Sequence, residues 1–113
     1  MTDGVQAVFV ALAHGVAVWP DGGGLKISAV AASIPAAGVE YLKKHKAEIL
    51  NAFSEIGAVQ VLNCHLRDYG RRLSAEMVAE YRAIIGDKRP SLRDFMQAWA
   101  RVLYCDTLRS WPE

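Results

Sequence analysis

The spacing of apolar residues changes twice along this chain, and each change predicts a different element. Val5, Val8, Phe9 and Leu12 recur at helical intervals, which predicts an amphipathic helix at the start. Thr2 or Asp3 can cap that helix, and Gly15 suits the position just past its end. From Val16 to Pro20 the period shortens to two. Val16 and Val18 then point one way, Ala17 and Trp19 the other. "DGGG" (Asp21–Gly24) supplies residues that tolerate positive φ, as a tight hairpin turn requires. Leu25, Ile27 and Ala29 next alternate with Lys26, Ser28 and Val30. The pattern predicts a β-hairpin with Val16, Val18, Leu25 and Ile27 facing a core, and Trp19, Lys26 and Ser28 facing outward.

Helical spacing returns after "SIPAAG", where Ser33 can cap and Pro35 fits a first turn. Leu42, His45, Ile49 and Phe53 form one stripe, with Lys43 and Lys44 on the opposite, solvated side. His45 on such a stripe is expected to be a core histidine whose ring N–H meets a backbone carbonyl. Gly57 is expected to end this helix or bend the chain, so residues 1–56 read as a helix–hairpin–helix unit. Residues 57–113 read as three helices. The first carries Val59, Leu62, Leu66 and Tyr69 and stops at Gly70. The second runs from the cap Ser74 through Met77, Val78, Tyr81, Ile84 and Ile85 to Gly86. The third follows Ser91 and Asp94, an acidic variant of the capping box, and buries Phe95, Trp99, Val102 and Leu103. The fold class expected is α+β and mostly helical.

Composition narrows the function classes. At 113 residues and 52% hydrophobic, the chain can bury a core and is too apolar for a disordered protein. The formal net charge of +1 gives no bulk attraction to nucleic acid or an acidic membrane surface. Charge is distributed unevenly: residues 1–56 hold four lysines against five acidic residues, and residues 57–113 hold nine basic against seven acidic groups. All the arginines lie in the second half. No apolar run approaches the ~18–20 residues of a membrane span, and the apolar N-terminus lacks the basic residues of a signal peptide. The expected location is the cytoplasm, with Cys64 and Cys105 as reduced thiols.

Candidate chemistry is sparse. His14, His45, Cys64, His65 and Cys105 show none of the spacings of metal motifs. Cys64 beside His65 in sequence is not a catalytic dyad, because such groups must meet across a fold. "DGGGLK" joins two strands, whereas a phosphate loop joins a strand to a helix. No catalytic residue, metal or cofactor is therefore assigned. One basic cluster, Arg67, Arg71, Arg72, Lys88 and Arg89, borders the turns of the middle C-terminal helix and is where nucleic acid could bind. "SAEMVAEYRAIIGDKRPSLRDFMQAWARVL" also has helix–turn–helix spacing, with Glu76, Glu80, Asp87 and Asp94 interleaved among the cations. Trp111, near the chain end, is expected to dock onto the protein's own core.

Three pieces together carry a resemblance: His14–Gly15–Val16–Ala17–Val18, then Asp21–Gly22 followed by Leu25–Lys26–Ile27, then His45–Lys46–Ala47–Glu48–Ile49–Leu50. Residues ~4–54 resemble the TubC-type N-terminal docking domain of hybrid peptide–polyketide synthetases. That resemblance implies a homodimer that captures a short peptide of a partner protein on the open face of its hairpin. Strand-like capture uses backbone bonds for affinity and side chains for selectivity. Trp19, Lys26 and Ser28 are then the expected partner contacts, with Lys43 or Lys44 attracting an acidic tail. Similar half-domains also occur in small stand-alone proteins of bacterial mobile elements. The second reading is accordingly an accessory factor of a phage, plasmid or genomic island, acting as a nucleic-acid-associated regulator or as an inhibitor of a host defence complex.

Overall fold

A computed structural model describes residues 2–31, 33–68, 74–105 and 110–112, and side chains for these except 2–3 and 63–68. The order of elements is α1 (Thr2–Ala13), β1 (Val16–Asp21), β2 (Gly24–Ala29), α2 (Ala36–Lys44), α3 (Lys46–Asp68), α4 (Ala75–Ile85) and α5 (Leu92–Leu103). The described residues form five helices and one antiparallel hairpin, an α+β architecture dominated by helix. Val5, Val8 and Leu12 on α1 are buried and Phe9 packs beside them, as their spacing predicts. Gly15 takes positive φ and turns the chain out of α1 into β1.

The hairpin closes with Gly22 at φ 59° and Gly23 at φ 82°. Two consecutive left-handed residues define the turn whose twist matches that of paired strands, and glycine adopts it without strain. The register pairs Val16 with Ala29, Val18 with Ile27 and Pro20 with Leu25. The Val30 N–H donates to the Gly15 carbonyl at 2.9 Å, which sets the phase of the ladder. Antiparallel pairs alternate between hydrogen-bonded and non-hydrogen-bonded. Ala17–Ser28 and Trp19–Lys26 are then the bonded pairs, and Pro20 sits where no amide is needed.

The expected single helix after Pro35 is two. Its N-cap is Pro35, with no side-chain cap, so Ser33 does not perform the capping role. The helical path breaks at His45 (φ −102°, ψ 12°) before α3 starts at Lys46. Leu42, Ile49 and Phe53 still reach the core from either side of the break. Gly57, at φ 77° and ψ 163°, kinks α3. The kink re-aims the following turn. Val61 and Leu62 are buried, whereas Val59, expected on the inner stripe, is exposed. Leu66 and Tyr69 lie outside the described side chains.

Ser74 and Ser91 cap α4 and α5, their hydroxyls accepting from the Met77 and Asp94 amides at 3.1 Å each. α4 contributes no fully buried residue. It is held to α5 by Tyr81, which stacks on Trp99 (4.6 Å, 13°) and meets Phe95 edge-on at 5.9 Å. α5 is by contrast deeply set: Met96, Ala98, Trp99, Ala100 and Leu103 are buried. One apolar cluster runs from Val5 to Trp111 and takes members from both sides of Gly57. Trp111 closes it, stacking on His14 at 4.3 Å and lying 5.9 Å from the Tyr41 ring. Gly38 makes room for that indole: a Cβ there would lie 2.6 Å from Trp111 Cε2.

Candidate functional site

A two-stranded ribbon needs cover and exposes what is left over. β1 lies between helices. It packs on α1 and more extensively on α5, and Val16, Ala17 and Val18 have no exposed surface at all. The face expected to be open is therefore closed along β1. Ala17 is buried, Trp19 packs half-buried against the core, and Ser28 is half-buried with its hydroxyl accepting from Gln97 Nε2 of α5 at 3.3 Å. Lys26 alone of the three expected contacts remains exposed. The reason is steric. Alanine at position 17 leaves a shallow surface onto which a helix can settle, so α5 occupies the face a peptide was expected to take. Three consecutive apolar residues, Val16–Ala17–Val18, are the signature of a strand covered on both faces. That signal was present in the sequence, and alternation along β2 obscured it.

β2 behaves oppositely. Ile27, expected in the core, is 37% exposed, and Ala29 is exposed. Ladder phase aims the main-chain N–H and C=O groups of Leu25, Ile27 and Ala29 away from β1. Among the described residues the sheet has two strands and no third strand receives them. What is accessible is thus the outer edge of β2 and not the face of the ribbon.

The remaining expected residues fall in separate places. Lys43 and Lys44 are exposed in the last turn of α2, where cations complement the helix C-terminus. α2 packs on α1 and α3. Arg71 and Arg72 lie outside the described residues, as does the side chain of Arg67. Lys88 and Arg89 are exposed in the turn after α4, and a groove there also gathers Arg101. Arg101 was not singled out from sequence, since twelve residues separate it from Arg89. In the helix–turn–helix reading α5 would be the reading helix, but its broad apolar face is already committed to β1, α1 and α4.

Comparison with protein-family models, with curated proteins and with solved structures found no match. His45 Nδ1 is buried and finds no hydrogen-bond partner among the described residues. The Glu48 carboxylate lies 3.9 Å from it, too long for a hydrogen bond. His14 instead is the histidine in contact with carbonyls, 2.7 Å from that of Val10 and 3.2 Å from that of Ser110. No three His, Cys, Asp or Glu side chains converge among the described residues, and none of the described helices is long and apolar enough to cross a membrane.

Proposed function

We propose that this chain is a non-enzymatic protein–protein docking adaptor, and that it takes an extended peptide segment of a larger assembly along the outer edge of β2. The observation that carries the reading is the outward row of main-chain groups at Leu25, Ile27 and Ala29 beside an exposed Ile27. An exposed edge with unpaired donors and acceptors is a template for an added strand. Native proteins usually blunt such edges. Here Lys26 is the only charged residue in β2, and no proline interrupts it. The likeness of residues ~4–54 to docking domains of the TubC type supports the same reading. A homodimer belongs to the proposal on that likeness, and a cytoplasmic location on the reading of the apolar runs and N-terminus of the sequence. The mode of capture differs from the one expected of an open hairpin face, because α5 lies over that face of β1.

Ile27→Pro tests it. Position 27 is in a non-hydrogen-bonded pair, so proline there keeps the β1–β2 ladder and removes one outward donor. Peptides selected from a random display library on the immobilised full chain are expected to be extended and rich in β-branched residues. Ile27→Pro should abolish their binding while Ile27→Val retains it. Selected peptides that bind Ile27→Pro as well as the parent chain would sink the reading.

A further inference from the structure

The groove between the end of α4, the turn and α5 is a second feature with a chemistry of its own, and it does not depend on the β2 edge. Its volume is about 290 Å³, near the lower end of ligand pockets and suited to one or two side chains. Ile84, Ile85 and Pro90 supply apolar surface, and Lys88, Arg89 and Arg101 supply cations. Ile84 is 43% exposed. Among the described residues, none of the three cations is paired with a carboxylate. The acidic side chain in the groove, Asp94, lies 3.6 Å from Arg93 Nε. Cations after a helix have an ordinary role in complementing its C-terminus. That role explains Lys88 and Arg89 at the end of α4 and does not explain why Arg101, from another helix, meets them over an apolar floor.

We propose that this groove binds an acidic peptide segment of a partner protein, with an apolar side chain against Ile84, Ile85 and Pro90 and flanking carboxylates on Lys88, Arg89 and Arg101. Two observations favour a peptide over a nucleic acid. The groove holds the Asp94 carboxylate, which can accept from a peptide main-chain N–H, a donor that a sugar–phosphate backbone lacks. The chain's net charge is only +1, too small to gather a polyanion at a distance.

The test uses the full ¹⁵N-labelled chain at low salt, titrated with a short synthetic peptide of glutamates and aspartates around a central leucine. Its glutamine and asparagine counterpart and oligothymidylate are the comparators. Shifts are expected in amides between Ile84 and Arg101. Affinity should fall at least ~10-fold in Lys88→Glu with Arg89→Glu, and again in Arg101→Glu, as charge reversal at a paired site does. Ile84→Ser, at an exposed position, should weaken the peptide and spare any oligothymidylate contact. All these side chains are exposed, and a far-ultraviolet spectrum and melt confirm that each variant is folded. Four results would each overturn the proposal: no shift at millimolar peptide, equal binding of the uncharged counterpart, tighter binding of oligothymidylate on the same amides, or shifts confined to Gly24–Ala29. The last would leave the β2-edge reading standing, and Ile27→Pro should not alter groove binding.

Discussion

Tyr81, together with Met77, joins an otherwise superficial helix to the rest of the protein. It stacks on Trp99, and burial raises its phenol above the ordinary value near 10. The consequence for stability has a definite sign. An unfolded chain releases the phenolic proton at lower pH than the folded one, so the folded state binds more protons above pH ~10. The stabilisation is fully present below the unfolded value and is lost as pH rises through the folded one. Chemical denaturation at pH 8 and pH 10.5 should therefore show a smaller alkaline loss in Tyr81→Phe than in the parent chain. An equal loss in both would assign the effect to the other tyrosines. Trp99 itself contributes a buried indole whose N–H has no partner among the described residues.

At the scale of the element, the two strands of one hairpin have opposite environments. β1 is enclosed by α1 and α5, and β2 borders solvent. Hydrogen exchange should display the ladder directly. The amides of Lys26 and Ser28, in bonded pairs with β1, should exchange slowly. Those of Leu25, Ile27 and Ala29 should exchange faster, by an order of magnitude or more, since only local opening protects the former. Uniform protection along β2 would mean that its outer edge is already occupied, for instance by a second copy. The helix after Pro35 makes a related point. Its apolar stripe was legible, and Leu42, Ile49 and Phe53 are all buried. The break at His45 was not, because two helices packed on one core can continue a stripe across a change of direction.

For the whole molecule, the key contact is that of α5 with β1 and α1. It places the C-terminal region in the same apolar cluster as the N-terminal half, so the hairpin and α5 are expected to unfold together. Ala17→Leu forces a larger side chain between β1 and α5. Overpacking of this kind costs about 1–3 kcal/mol, which should lower the thermal midpoint by several degrees. A melt unchanged by Ala17→Leu would mean that α5 can leave β1 without consequence and that the ribbon's face is available after all. Most elements were legible in the sequence, because periodicity, the caps at Ser74 and Ser91 and the glycine turns are local properties of a few adjacent residues. The core side of α1 followed for the same reason, and that of α5 in part: Trp99 and Leu103 are buried as expected, whereas Phe95 and Val102 are half-buried and Met96 goes inside. Which strand would be enclosed, that Ile27 would face solvent, and that Arg101 would join Lys88 and Arg89 were decided by tertiary packing. An alternating strand defines two faces equally well, and only the helices that settle on it determine which one remains in water.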